Sequence, residues 1–492
     1  MSKENQTSKI KLNTRAWLTG LAILGQCNLL LAENSLWYRS DDPLKTEALA
    51  PPALPVGYLQ STACHAVNYE SALTLAGVAE AALCNNPQTR AAYASARVQA
   101  AQVGIAQSAY LPALTDNVSG NLNFSSPASS RSNPYGNLSN SLVASYLLYD
   151  FGNRDANLEN ARQLLQAASA TQSSVVQNVL LSAIQAYYQV QAGIAVLDAA
   201  RETERASEES FKAANARYSA GVATPADKLL AQTQFAQNTL TRITAQGTLN
   251  TAYGTLANVM GLAANQTLKL ASASPVQTSQ NLDQDMDALI EQARVRRPDL
   301  IASEAQLKAA QASIEASRAA AKPTLSVALS NNFQDGSDLR SSNNTALGMT
   351  LSIPLFSGFA PTYRIRSAQA NAEVRAAQRD QLRLQISLDV WSAYQNLRTS
   401  NQAITAAEAL LSSAEQSAAM SLGRYKAGVG NIVEMLNAQG ALATARQQKI
   451  QADLNWNIAR ASLAQAMGGL DSAMLQSLPE GDKALTNTEK QP

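Results

Sequence analysis

Groups able to do chemistry are scarce in this 492-residue chain: three cysteines, Cys27, Cys64 and Cys84, and one histidine, His65. A Cys-His pair with one distant cysteine is too small a set for a structural zinc, which takes four ligands. No glycine-rich phosphate loop is present. No paired acids stand out for general acid–base work beyond two repeated turns. The pattern argues against an enzyme and calls for no cofactor and no metal. In an oxidising compartment Cys64 and Cys84 could pair, and a loop of that size would contribute roughly 3 kcal/mol. Two free thiols are the alternative.

The two turns are "RYSAGVATPAD" (217–227) and "RYKAGVGNIVE" (424–434). Gly221 and Gly428 stand where a long helix stops, in the left-handed position that glycine takes without steric cost. Thr224 and Asn431 follow as N-caps, with Pro225 suited to the first helical position. Asp227 and Glu434 come three residues after the caps, as in a capping box, and complement the helix dipole. A stabilised turn is one sufficient reason for these acids. The other is a ring of carboxylates, formed when several chains surround an axis. Carboxylates about 10 Å apart repel by roughly 0.4 kcal/mol in water, or about 1.7 at an effective dielectric of 20. That attracts cations but neither opens nor shuts a tube.

The elements that hold these turns come in two copies. Residues 85–112 are echoed by 296–323, and from about residue 148 the offset settles at 207: Leu148 matches Leu355 and Met260-Gly261 matches Met467-Gly468. Each copy reads helix, strand, loop, strand, very long helix, tight turn, long helix. The very long helices, from about Asn153 to Tyr218 and from about Phe359 to Tyr425, would each extend about 100 Å. In the second, Val390, Leu397, Ile404, Leu411, Ala418 and Tyr425 recur every seven residues. Ala393, Ser400, Ala407 and Ala414 follow three residues after the first four, a heptad seam of large knobs and small seats.

Four runs alternate apolar and polar residues: 114–124, 139–149, 324–333 and 345–355. Leu114, Val118, Leu122 and Phe124 share one face of the first, with Asp116 and Gly120 as exceptions. The second run is weaker, because Val143 and Leu147 spoil its polar face. About 9–11 residues let a tilted strand cross a bilayer. An open four-stranded sheet would leave bare backbone edges in lipid, so several chains must share one closed barrel. The small polar inward residues cannot fill an eight-stranded barrel, which predicts a wider, water-filled one built by at least three chains. A periplasmic coiled-coil scaffold without a pore would explain the heptads but not the strands.

Charged residues make up only 15% of the chain and the formal net charge is +1, which leaves no basic face for nucleic acid. Lys3, Lys9, Lys11 and Arg15 precede an apolar run from Ala16 to Ala32, the pattern of a signal peptide cut after Ala32. Lipidation at Cys27 within "LGQC" is the alternative. No other stretch is apolar for the 18 or so residues of a membrane-spanning helix. The chain thus divides into a signal peptide (1–32), a periplasmic linker (33–67), a first repeat (68–262), an inter-repeat linker (263–282), a second repeat (283–470) and a mobile tail (471–492).

Over about 68–470 the sequence resembles the TolC family of outer-membrane efflux and secretion channels. The likeness rests on "ALCNNPQTR", "RRPDL", "IPLFSG", the paired "RY-x-x-G-V" turns, the Met-Gly helix ends and the duplication. It implies a mainly α protein with membrane β-strands, a homotrimer whose twelve-stranded barrel in outer-membrane lipid continues as a periplasmic helical barrel. It also implies a periplasmic adaptor and an inner-membrane ABC or RND transporter as partners, docking at tips that carry Gly221, Val222, Gly428 and Val429. In the family's prototypes the second turn holds a tyrosine, a basic residue and two aspartates that close and line the entrance. Tyr425 matches, Tyr218 is its counterpart, and Glu434 stands for the first aspartate; ordinary seam packing is the alternative role of the two tyrosines. Gly430 replaces the basic residue and Asn437 the second acid, so Asp227 lacks its family partner. The Cys64 and Cys84 pair is similar to members serving type I secretion; a lipoprotein drug-efflux channel is the alternative.

Overall fold

A computed structural model describes residues 42–54, 71–123, 135–271, 285–336 and 340–470. The expected signal peptide, Cys27, Cys64, His65, Phe124 and the tail lie outside the described residues, as do most of the first polar loop and of the inter-repeat linker. The element order repeats: α1 (Leu75–Asn85), α2 (Pro87–Ser108), β1 (Ala113–Asn123), β2 (Tyr135–Tyr149), α3 (Asn153–Ser219) and α4 (Pro225–Val259). The second copy is α5 (Met286–Arg296), α6 (Pro298–Ala319), β3 (Thr324–Gly336), β4 (Ser342–Ser352), α7 (Ala360–Lys426) and α8 (Ile432–Ala466). The chain forms two compact units.

One unit contains the strands, with Val98–Leu165 and Gln306–Arg375. They form one antiparallel sheet in the order β1-β2-β3-β4, so β1 and β4 are its edges. Its register sorts the side chains by face. Leu114, Ala144, Leu329 and Leu347 lie in one row, and Tyr146, Val327 and Met349 in the next. Rows of the opposite face are small or polar: Ala113, Ser145, Ala328 and Gly348, then Asn117, Ser141, Asn332 and Asn344. Hydroxyls and amides tie these rows together, as in Ser119 to Ser139 at 2.7 Å and Ser141 donating to Asn332 at 2.6 Å. Asp116 stays the exception, sharing the apolar face with Leu142, Asn331 and Thr345.

Two strand limits differ from the alternation. β4 ends at Ser352, so Ile353 and Leu355 lie beyond it. Pro354 has no N–H for a ladder, which ends the pairing there. In β2 the register shifts between Leu147 and Tyr149, and the bulge takes Leu148 out of the alternating set.

Each sheet-to-helix junction holds two successive left-handed residues. In the first these are Phe151 (φ 55°) and Gly152 (φ 89°); in the second, Gly358 (φ 65°) and Phe359 (φ 62°). A phenylalanine there is strained. Just before the first junction, the buried Asp150 accepts from the backbone N–H of Arg154 at 2.9 Å and from its Nε at 3.1 Å. Burial and the adjacent Asp155 carboxylate, to which its hydroxyl donates, push Tyr110 up to about 12.

The other unit is helical and packs a core around Leu75, Leu180, Ile184, Tyr187, Leu256 and Met260. The second copy has a smaller counterpart around Leu289, Leu300, Ile386 and Val390. The heptad seam of α7 is buried at Val390, Leu397, Ile404, Ala418 and Tyr425, with alanine seats at 393, 407 and 414. Cys84 is disulfide-bonded.

Each copy closes on its own beginning. Gly261 (φ 73°) lies so near α1 that a Cβ would meet the Asn85 carbonyl oxygen at 2.6 Å, and at Gly468 (φ 70°) one would meet the Arg296 carbonyl carbon at 2.9 Å. Both the dihedral and the contact demand glycine. Gly261→Ala is therefore expected to destabilise by about 2–4 kcal/mol, combining left-handed strain with overpacking against backbone. Thermal unfolding of the detergent-solubilised protein checks it; an unchanged midpoint would count against the contact.

Candidate functional site: the ends of the helical hairpins

The predicted turns form as expected at their first half. Gly221 and Gly428 have φ of 74° and 80°. Behind them Val222 N–H donates to Arg217 O at 3.0 Å and Val429 N–H to Arg424 O at 3.0 Å, the six-to-one bond that closes a helix end. Val222 and Val429 are each 71% exposed at the tips.

Their second halves diverge. Thr224 caps α4 by accepting from Asp227 N–H at 3.2 Å, and Asp227 returns the bond by accepting from Thr224 N–H at 3.0 Å. The capping box is complete, and the Asp227 carboxylate stays within its own turn. Asn431 caps α8 by accepting from Glu434 N–H at 2.7 Å. The Glu434 carboxylate instead takes Arg424 Nη1 at 3.1 Å. Asn437 is exposed one turn further on.

The two tyrosines also part company. Tyr218 is 40% exposed, with Lys228 Nζ 5.3 Å from its ring centre. Tyr425 is 7% exposed, in a cluster with Ala214 of α3, Ala231 of α4, and Ile432 and Met435 of α8. Arg217, at the end of α3, holds it from the other hairpin. Its guanidinium lies 4.7 Å from the Tyr425 ring centre, and Nη1 donates to the Tyr425 carbonyl at 3.1 Å. Further along, Ser210 and Gln439 exchange hydrogen bonds, and Arg446 pairs with Glu202 at 2.8 Å, again linking α3 to α8.

So Asp227 and Glu434 each stay within their own hairpin, Tyr425 packs against both, and the tip-end bridge between hairpins is Arg217, which is not among the site residues read from sequence. The arginine was visible in "RY-x-x-G-V", but only the tertiary fold shows that Arg217 crosses and Arg424 does not.

The chain as a whole has relatives. The family model described as outer membrane efflux protein matches residues 78–262 and 289–469. Protein CyaE of Bordetella pertussis is 30% identical over 387 residues, 77% of this chain and 80% of that one. Outer membrane efflux protein BepC of Brucella suis is 25% identical over 411 residues, 82% of this chain and 87% of that one. A crystal structure of CusC matches with a TM-score of 0.72 at 23% identity, covering 85% of this chain and 98% of CusC, which establishes a common fold. With both copies matched from their first helix to their closing Met-Gly, the chain belongs to the outer membrane efflux protein family.

Proposed function

We propose that three copies of this chain close a twelve-stranded barrel in the outer membrane, continued by a helical tube into the periplasm, and that the assembly is a passive exit duct. The observation that carries this is the sheet: one apolar face, one small polar face, and two edge strands. In lipid such edges must be paired, and joining β1 of one copy to β4 of the next pairs them all. The polar face then lines the pore. Its rows hold mainly serine, threonine, asparagine, alanine and glycine, interrupted by Val143 and Leu147, and the described strand residues on this face carry no charge. A neutral wall neither holds nor repels a polypeptide of mixed charge, which favours secretion of protein cargo over a charged small molecule.

In this reading the hairpin ends are the entrance. A periplasmic adaptor would seat on the exposed tips at Gly221, Val222, Gly428 and Val429, and an inner-membrane transporter would supply the energy. Arg217 on Tyr425 clasps the two hairpins, while Asp227, Glu434 and Asn437 line the mouth beside Tyr218. The purified protein is expected to be trimeric in detergent and to conduct ions across a planar bilayer. A monomer without conductance would overturn the proposal.

A further inference from the structure

Beside the first junction lies a cleft of about 650 Å³, between the start of α3, the end of α6 and the start of α7. Phe151, Asp155, Glu159, Arg318, Lys322 and Ile365 are among its lining residues. Its charges do not cancel one another. Lys322 Nζ lies 5.8 Å from the Phe151 ring centre and has no carboxylate partner among the described residues. Arg318 pairs through Nη1 with Glu315 at 2.6 Å, leaving its other nitrogens to donate. Asp155 accepts from Tyr110 and Glu159 from the Gln163 amide, and neither meets a cation among the described residues. The end of α6 thus offers an ammonium and the part of a guanidinium that Glu315, also lining the cleft, does not take, and the start of α3 offers two carboxylates.

Its place in the fold matters as much as its charges. Phe151 follows the last residue of β2 by two, and the exposed rings around both junctions form edge-on pairs: Tyr149 with Phe151 at 4.7 Å and Phe356 with Phe359 at 5.4 Å. Exposed rings at the end of apolar strands mark the boundary between hydrocarbon and headgroups. A ligand there that carries both charge signs on one short frame is a zwitterionic phospholipid.

We propose that this cleft binds the phosphoethanolamine headgroup of a membrane phospholipid, one per chain, with the phosphate on Lys322 and Arg318 and the ammonium on Glu159 and Asp155. This rests on the membrane reading of the sheet. The size suits it, since small-ligand clefts run from about 300 to 1,000 Å³. The unbalanced acids disfavour a purely anionic headgroup, and a trimethylated ammonium could not donate hydrogen bonds to the carboxylates.

The test is native mass spectrometry of the trimer with phosphatidylethanolamine, phosphatidylglycerol or phosphatidylcholine, with bilayer conductance of the same samples as the control for assembly. Up to three phosphatidylethanolamines should stay bound per trimer. Lys322→Gln and Glu159→Gln, both at exposed side chains, should each weaken retention about tenfold, the worth of a charge-assisted hydrogen bond, while conductance is unchanged. Equal retention of all three lipids, or no loss in either variant when conductance is normal, would refute the site. Loss of conductance in the wild type would instead refute the channel reading.

Discussion

Arg217→Ala should open the entrance. The side chain is half-buried and contributes a hydrogen bond to a carbonyl and a contact with a ring face. Together these are worth about 1–2 kcal/mol at a partly exposed site. Their loss shifts the balance between clasped and parted hairpins about 5- to 30-fold in each chain. Single-channel recording should show a higher mean conductance or longer open periods. Tyr425→Phe is the informative companion, because the arginine uses the ring and the backbone carbonyl while the phenolic hydroxyl makes no hydrogen bond among the described residues. It should behave like the parent. If Tyr425→Phe opened the entrance and Arg217→Ala did not, the clasp would be misassigned.

The second large effect concerns the sheet. Leu329 and Ala328 are neighbours on a central strand, yet their rows face opposite ways. Leu329→Arg puts a charge in the row of Leu114, Ala144 and Leu347, and is expected to cost about 2–4 kcal/mol if that row lies near the bilayer midplane. Ala328→Arg enters a row of Ala113, Ser145 and Gly348, where there is space and, in the proposed pore, water. The first variant should lower the yield of assembled trimer in the outer membrane. The second should assemble and change conductance and its ion preference. The reverse result would turn the sheet inside out.

Much of this architecture was legible because it depends on period. Alternation located all four strands to within a few residues, and the heptads of α7 found most of its buried seam, although Leu411 and Ser400 are only half-buried. Turn chemistry was equally direct, since left-handed glycines and caps are local requirements met by few residue types. What escaped was non-local or against preference. No propensity places a phenylalanine at positive φ, as at Phe151 and Phe359. The bulge at Leu148 depends on register with a partner strand nearly 180 residues away. The partner of Glu434 was missed because Arg424 competes with the capping bond. Arg217 was missed because its target belongs to the other hairpin.

That last asymmetry reaches beyond one chain. Arg217 crosses to the neighbouring hairpin while its repeat-mate Arg424 remains at home with Glu434. In the proposed closed ring of six hairpins, therefore, each gap within a chain carries the Arg217 bridge while each gap between chains is built from different residues, and the six outwardly similar positions split into two classes of three. A docking protein that recognises one class alone would saturate the ring at three molecules, whereas one that wedges into both would bind as six with two distinct affinities. Counting bound molecules at saturation would thus report which gaps are recognised.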